Sequence, residues 1–304
     1  MSAAPSVPPP SVDEWRDRGR FVEVGRDRVF VVDVVAGDVV AAGDARPDVP
    51  PLLVLHGFPT CSYDYAGVLP ALSATRRVVL PDHLGHGLSA KPDRRYGIRM
   101  MADAVSGAVE ALGIDEVDLL THDVGDSVGG ELLARDLDGE LPFSVRRRVV
   151  TNGSIYMDLV QLTDGQQLLL SLPDEPTDLV TEDTWKAALR RTFAPASPVP
   201  DEELDAQWQL TSVDDGHRLL PRTIRYIEDR RAEERRYTGP IETHPSPLAV
   251  VWGALDPIAV LPMAERLAAA RADATLTVLD DVGHYPMLEA PDRFAAAVVA
   301  HLDA

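Results

Sequence analysis

Two overlapping patterns near residue 123 could each supply the nucleophile of a hydrolytic enzyme. Residues 125–129 read G-D-S-V-G, a G-x-S-x-G pattern that would make Ser127 the nucleophile. That pattern acts only at the sharp turn where a strand enters a helix, and the preceding apolar run ends near Leu120. Residues 121–125, T-H-D-V-G, lie at this strand end, with small residues two positions to either side of the centre, as a strained turn requires. The spacing therefore predicts Asp123 as the nucleophile and places Ser127 on the following helix.

An acid and a histidine follow in the chain order that such a site needs. Asp256 comes soon after the apolar run 248–252, and His284 comes soon after the next run, 275–279. Asp256 alone could cap a helix, because Pro257 suits a first helical position, and His284 alone could be a surface histidine. The order nucleophile, acid, histidine favours a catalytic set in which Asp256 orients His284.

The turn after the first predicted parallel strand offers backbone donors for a negatively charged oxygen. Residues 56–59 read H-G-F-P. The N–H groups of Phe58 and Val124 would point at one spot and form an oxyanion hole. His56 is expected to hold the turn by bonding to the backbone. His56 and His122 are also candidates for contact with the substrate.

Together these residues resemble the epoxide hydrolase branch of the α/β-hydrolase superfamily, of which the haloalkane dehalogenases are close relatives. The resemblance runs from about residue 21 to residue 304 and is weakest in the predicted cap. Residues 119–135 are most similar to the mesoderm-specific transcript protein branch, which fixes no substrate. The motifs that carry the resemblance are His56-Gly57-Phe58-Pro59, Asp82-His83-Leu84-Gly85-His86-Gly87-Leu88-Ser89, His122-Asp123, Asp256 and Gly283-His284.

The resemblance implies that tyrosines of an inserted cap hold the epoxide oxygen. Tyr226 precedes the strand of the acid, as the later family tyrosine does. The alternative for Tyr226 is an ordinary residue of an amphipathic cap helix. Tyr156 and Tyr237 are candidates for the second tyrosine, and Tyr156 is the one we carry forward as a substrate-binding residue.

Two positions depart from the dehalogenase pattern. Haloalkane dehalogenases carry a tryptophan directly after the nucleophile, whose N–H binds the leaving halide, and here that residue is Val124. Phe58 replaces the polar or tryptophan halide donor often found at its position. The arginine that follows the nucleophile in fluoroacetate dehalogenases is absent from this sequence as well. These departures count against cleavage of a carbon–halogen bond.

The reaction that the resemblance implies is the opening of an epoxide to a diol in two steps. The Asp123 carboxylate attacks a ring carbon without first losing a proton, while Tyr226 protonates the oxygen. His284, oriented by Asp256, then activates a water that hydrolyses the alkyl ester. No metal or organic cofactor is needed. The alternatives are a dehalogenase, an ester or lactone hydrolase using Ser127, and a non-catalytic binding protein.

Short apolar runs alternate with helical stretches, and this rhythm predicts how the candidate residues are positioned. It indicates a mostly parallel central sheet with helices on both faces, which is the α/β-hydrolase fold. Such a sheet places ligands at the carboxyl ends of its strands, where the candidates lie. Strands are predicted at 21–24, 29–35, 52–55, 77–80, 117–120, 149–152, 248–252 and 275–279, and helices at 65–72, 98–112, 124–135, 263–270 and from 292.

The alternation stops between residues 155 and 243, where helical patterns, prolines and charges occur without a convincing strand. We therefore expect a helical cap over 155–243, inserted between two parts of the hydrolase core, 21–154 and 244–304. Residues 1–20 are expected to form a flexible leader, because their first ten positions are mainly small residues and proline.

Composition excludes several classes of partner. The chain carries 49 acidic and 29 basic residues, a net charge of −20, which disfavours nucleic acid and anionic membranes. No apolar run approaches the roughly 18 residues that a membrane span requires. The single cysteine, Cys61, excludes an internal disulfide and a thiolate zinc site. The sequence predicts a cytoplasmic enzyme with a small apolar substrate, and it leaves a homodimer open.

Overall fold

All eight predicted strands form, although the sixth begins at Ser144, five residues before its predicted start at residue 149. In the computed structural model, which describes residues 9–35 and 49–304, they pair in one sheet in the order β1-β2-β4-β3-β5-β6-β7-β8. The β1–β2 and β2–β4 pairs are antiparallel and all others are parallel. The predicted α/β-hydrolase fold is confirmed. The strands are β1 (Gly19–Val24), β2 (Asp27–Val34), β3 (Leu52–Leu55), β4 (Val78–Pro81), β5 (Glu116–His122), β6 (Ser144–Thr151), β7 (Leu248–Gly253) and β8 (Thr275–Leu279).

Helices connect the strands and cover both faces of the sheet. Residues 65–72, predicted as one helix, instead contain the end of a 3-10 turn, Ser62–Tyr65, and the single helical turn Leu69–Leu72, because Gly67 and Pro70 interrupt the pattern. A second 3-10 segment is Val213–Leu219. The helices are α1 (Val12–Arg18), α2 (Leu69–Leu72), α3 (Ile98–Ala111), α4 (Val124–Asp138), α5 (Asp164–Ser171), α6 (Glu182–Arg190), α7 (Asp201–Ser212), α8 (Leu220–Thr223), α9 (Tyr226–Ala232), α10 (Glu234–Thr243), α11 (Leu261–Ala269), α12 (Pro286–Glu289) and α13 (Pro291–Leu302).

Part of the predicted flexible leader is ordered secondary structure, so that prediction is wrong for residues 11–20. Ser11 and Glu14 form a reciprocal capping box that begins α1. Trp15 on α1 is fully buried and its ring lies 5.5 Å from the Tyr63 ring. One buried aromatic among charged residues anchors this helix, and the polar pattern around it concealed the anchor. The first eight residues lie outside the part of the chain that the structure describes.

Six helices, α5 to α10, lie between β6 and β7, and we call them the inserted helices. They occupy the stretch predicted as a cap, and they are tied to the core by polar contacts. Arg236 on α10 donates from Nε to Glu131 on α4 at 2.9 Å, and Gln207 on α7 donates to Asp64 at 2.9 Å. Their role as a cap stays a prediction. Within residues 9–35 and 49–304, no helix is long and apolar enough to cross a membrane.

Candidate active site

Asp123 lies at the sharp turn between β5 and α4, as predicted, and we call this turn the elbow. Its backbone has φ +51° and ψ −115°, a conformation that costs energy and survives only where the surroundings enforce it. The turn brings α4 close to β3, since a Cβ atom on Gly125 would lie 2.5 Å from the carbonyl oxygen of Leu55. The buried Asp123 carboxylate accepts the N–H of Phe58 through Oδ2 at 2.8 Å. The N–H of Val124, the first residue of α4, has no acceptor within its own helix.

Ser127 occupies a different position from a nucleophile at the elbow. It is the fourth residue of α4, one turn beyond Asp123. Its buried Oγ accepts the Nε–H of Arg230, at 2.8 Å. The G-D-S-V-G stretch is therefore helix sequence, as the position of the strand end predicted.

Asp256 and His284 lie side by side on the loops after β7 and β8. His284 Nδ1 is 2.7 Å from Asp256 Oδ2, and Asn152 Nδ2 donates to the same oxygen at 2.8 Å. The other oxygen, Oδ1, accepts the backbone N–H groups of Ile258 (2.7 Å) and Ala259 (2.9 Å). Four contacts leave this carboxylate little freedom. Sequence reasoning missed Asn152, although a polar residue directly after β6 was a signal for it.

Among the histidines of the site, His284 has surroundings that favour its protonated, charged form. Burial disfavours that charge, but the Asp256 carboxylate, and beyond it Asp123, outweigh burial and raise the His284 pKa to about 9. The neighbouring His122 shows the opposite balance, because burial and the nearby His284 lower its pKa to about 4. Two histidines whose rings are 4.9 Å apart thus differ in charge at neutral pH.

His56 and His122, the two histidines proposed for substrate contact, bond to the backbone. His122 Nε2 is 2.8 Å from the carbonyl oxygen of His284, and His56 Nε2 accepts the N–H of His83 at 2.9 Å. Both side chains are buried. Neither lines the cavity beside His284. The structure supports the expected structural role of His56 and assigns a similar one to His122.

Of the three candidate tyrosines, only Tyr226 lies at the elbow. It begins α9, is buried, and its ring centroid is 5.8 Å from that of Phe58. Burial and then the Asp123 charge raise its pKa well above the usual range, so it keeps its proton. Tyr156 donates to Glu242 at 2.8 Å, and Tyr237 donates to Glu233 at 3.2 Å. Tyr156 does not line the cavity beside His284 and its hydroxyl is already bonded to Glu242, so the structure does not favour its predicted role in substrate binding, which stays a prediction.

A cavity of about 200 Å³ opens beside His284, Tyr285 and Phe58. None of the described residues that line it is Asp, Glu, Lys or Arg. Such a lining suits an apolar ligand that a few polar groups orient at one end. Tyr285 was missed from the sequence although it directly follows His284. The inserted helices and their connections supply most of the apolar wall, including Leu169, Leu172, Val180, Trp185, Ala188 and Leu189.

A cluster of histidines lies behind the elbow, but it does not have the character of a metal site. The rings of His56 and His83 are 4.3 Å apart, and those of His56 and His86 are 5.5 Å apart. Burial lowers the pKa of His83 to about 3 and that of His86 to about 4, so these rings are neutral at pH 7. In the part of the chain that the structure describes, no three His, Cys, Asp or Glu side chains are arranged to hold a metal ion.

Comparison with known proteins agrees with the fold. The profile of the alpha/beta hydrolase family matches residues 52–297, a span that contains the elbow, Asp256 and His284. The chain belongs to the alpha/beta hydrolase family. This α/β-hydrolase is 38% identical to "Putative hydrolase LipZ" of Mycobacterium tuberculosis over 295 residues, covering 96% of this chain and 98% of the relative. It is 30% identical to the mesoderm-specific transcript protein of Mus musculus over 319 residues, covering 100% and 92%.

More distant proteins share the fold. Haloalkane dehalogenase 2 of Mycobacterium tuberculosis is 26% identical to this α/β-hydrolase over 299 residues, covering 92% of the chain and 93% of the relative. The crystal structure of Cfl2 from Burkholderia cenocepacia matches with a TM-score of 0.76 at 22% identity, covering 93% of this chain and 94% of that one. At that identity the match shows the fold alone.

Proposed function

We propose that this α/β-hydrolase opens an epoxide to a diol through an alkyl ester on Asp123, which a water activated by His284 then hydrolyses. The observation that carries the proposal is the carboxylate at the elbow, with one oxygen held by the N–H of Phe58 at 2.8 Å. A carboxylate can attack a saturated carbon directly, whereas a serine would first need a base. The inserted helices act as the cap that separates this chemistry from bulk water.

The first step forms a bond between Asp123 and a ring carbon. Oδ2 of Asp123 stays in the oxyanion hole, so Oδ1 attacks as the carbon–oxygen bond of the ring breaks. Tyr226 donates its hydroxyl proton to the departing oxygen and becomes a phenolate. The buried position of Tyr226 near Asp123 and its retained proton support this role.

Ester formation changes the charge that His284 senses. The Asp123 charge is one of the causes that raise the His284 pKa to about 9, and the neutral ester removes it. The pKa of His284 then falls, and its proton passes to the Tyr226 phenolate. Alkylation of Asp123 thereby converts His284 from an acid into a base at the moment when a base is needed.

The second step returns every group to its starting state. Neutral His284 takes a proton from water, and the hydroxide adds to the ester carbonyl, whose oxygen accepts hydrogen bonds from the N–H groups of Phe58 and Val124. The intermediate expels the diol oxygen, which takes the proton back from His284. The carboxylic acid left on Asp123 gives its own proton to His284. The sum is epoxide plus water giving a diol.

The cavity supports an uncharged, apolar substrate. Its wall of leucine, valine and tryptophan side chains ends at His284 and Tyr285, so the apolar part of a ligand packs on the inserted helices while the reacting carbon faces the elbow. A charged group in this wall would be desolvated without a partner. We therefore propose epoxides with an aryl or alkyl substituent as the substrate class.

Mass spectrometry of a His284→Gln variant tests the proposal. This variant should form the ester and hydrolyse it slowly, so incubation with aryl and alkyl epoxides should add the full epoxide mass to the peptide that contains Asp123. Asp123→Ala in the same background should give no adduct, and Ser127→Ala should still give one. Failure of every epoxide to modify the variant, with wild type also leaving the panel unchanged, would overturn the proposal.

Three further assays distinguish the alternative functions. Release of chloride from haloalkanes would indicate a dehalogenase, which the replacement of tryptophan by Val124 argues against. Labelling of Ser127 by a fluorophosphonate would indicate an ester hydrolase, which its position inside α4 and its bond to Arg230 argue against. A physiological effect that survives Asp123→Asn would indicate a binding protein.

A further inference from the structure

Arg230 lies one helical turn from Tyr226 on the same face of α9. The two residues are four positions apart, the spacing at which helical side chains meet. The guanidinium carbon of Arg230 is 5.2 Å from the centre of the Tyr226 ring, and both side chains are almost fully buried. A buried cation therefore contacts the phenol that the proposed reaction uses as its acid.

The charge of Arg230 has no close carboxylate to balance it. In residues 9–35 and 49–304, no acidic oxygen lies within ion-pair distance of it, and its Nη2 atom is buried without a hydrogen-bond partner. Asp126 is the nearby acid, but burial above all raises its pKa well above the usual range, which favours its neutral form. A buried arginine without a counter-ion is costly, and this cost calls for an explanation.

Ser127 holds the Arg230 guanidinium in position. Its Oγ accepts the Arg230 Nε–H at 2.8 Å, which ties α9 to α4 directly beside the elbow. The neighbouring Asp229 adds a second tie, because its Oδ2 accepts the N–H of Ile98 at 3.1 Å and its Oδ1 accepts from Arg95 at 2.8 Å. Two consecutive residues of α9 thus hold this helix, and Tyr226 with it, against the core.

We propose that Arg230 is a positioning residue for Tyr226, which it holds over Asp123 and whose developing phenolate it stabilises, and that Ser127 is the anchor of Arg230. The inference rests on the proposed function, since it assigns Arg230 to the acid of the epoxide-opening step. It also explains the G-D-S-V-G stretch, in which the serine serves the acid and the nucleophile lies four residues earlier.

The physical reason is the charge that appears on Tyr226 as it gives up its proton. A fixed positive charge next to the ring lowers the energy of the phenolate, and in a site without bulk water this effect is stronger than in solution. The ester hydrolysis step does not use the acid in this way. The effect of Arg230 is therefore sought in the alkylation of Asp123, which the His284→Gln background isolates from the later step.

The experiment measures single-turnover alkylation of Asp123 by styrene oxide in the His284→Gln background, with the adduct followed by intact mass. Arg230→Met keeps the apolar stem and removes the charge, and it should slow alkylation about tenfold to a hundredfold, part of the 10²–10⁴ typical of a general acid. Arg230→Lys restores the charge and should be faster than Arg230→Met. Ser127→Ala, the least disruptive change, should slow alkylation a few-fold.

Arg236→Met is the matched control. Arg236 also ties an inserted helix to α4, through Glu131, but it does not contact Tyr226. It should leave the alkylation rate within about twofold of the parent, even if it weakens the packing of α10. A loss as large as that of Arg230→Met would show that any cap-to-core tie has this effect, and it would overturn the inference.

A double-mutant cycle separates positioning from general packing. In a Tyr226→Phe background Arg230→Met should cause little further loss, because Arg230 acts through the phenol. A full additional loss there, equal rates for the Lys and Met variants, or a normal rate for Arg230→Met would each overturn the role of Arg230 while leaving the proposed function intact. Absence of any adduct in the parent variant would overturn both, so the two failures are distinguishable.

Discussion

The two halves of the site are held in different ways. The half at the strand ends carries Asp123, Asp256 and His284, and hydrogen bonds of 2.7–2.9 Å fix the two carboxylates. The half from the inserted helices consists of the apolar cavity wall and, outside the cavity lining, the buried pair Tyr226 and Arg230 on α9. The first half can fix reacting atoms, because its bonds are directional. The second half can select a substrate by shape, because its contacts are not.

Charge divides the halves in the same way. Asp256 and Asp123 outweigh the burial of His284 and raise its pKa to about 9, whereas the cavity wall among the described residues has no ionisable side chain besides His284 and Tyr285. Changes at the strand ends should therefore abolish chemistry, and changes in the wall should shift which substrate is accepted.

The largest expected effect distinguishes the two candidate nucleophiles, Asp123 and Ser127. Asp123→Ala should reduce epoxide turnover by about 10⁴-fold or more, as the loss of a nucleophile does in related triads. Ser127→Ala should reduce it by less than about tenfold, since the hydroxyl only anchors Arg230. Steady-state diol formation, with circular dichroism to confirm folding, measures both. A reversed order would return the nucleophile to Ser127.

The next effect tests whether the inserted helices contribute a reacting group. Tyr226→Phe removes the acid and keeps the ring, so alkylation in the His284→Gln background should slow about 10²–10³-fold. Tyr156→Phe is the control, because the hydroxyl of Tyr156 bonds to Glu242 away from the elbow, and its rate should be unchanged. Equal rates for the two variants would remove Tyr226 from the mechanism.

A smaller effect concerns substrate choice. Ala188 lines the cavity on α6, and Ala188→Phe should lower kcat/KM for bulky epoxides about tenfold while small epoxides change little. Ala187→Phe is the matched control, because Ala187 lies on the same helix but is exposed and does not line the cavity. The ratio of kcat/KM for a large and a small epoxide is the measurement. An unchanged ratio in Ala188→Phe would place the substrate elsewhere.

The smallest effect concerns stability where the halves meet. Glu203 on α7 is buried, accepts from Gln207 at 3.1 Å, and burial raises its pKa from 4.5 to about 7. A raised carboxyl pKa favours the protonated folded form, so stability falls as the pH rises from about 4.5 to about 7. Glu203→Gln should therefore stabilise the protein by about 1–3 kcal/mol at pH 8 and much less at pH 5. Urea unfolding at both pH values measures this, and an equal effect at both would contradict the charge argument.

Most of the strand-end half could be predicted from local sequence. Short apolar runs mark the strands, small residues mark the sharp turn at Asp123, and the chain order marks Asp256 and His284. These signals are local because each residue lies on or just after a strand whose pattern is readable. The family match and the observed sheet agree with that reading, and the roles of the residues stay predictions.

The sequence by itself thus determined the fold, the position of the elbow and the chain order of the candidate residues. Only the tertiary structure decided that Tyr226 and not Tyr156 stands at the elbow, that Asn152 holds Asp256, and that Arg230 bonds Ser127. These contacts join residues about a hundred positions apart, and they depend on how separate helices and loops pack. Local patterns carry no record of such packing, because many side chains of similar character could meet at the same place.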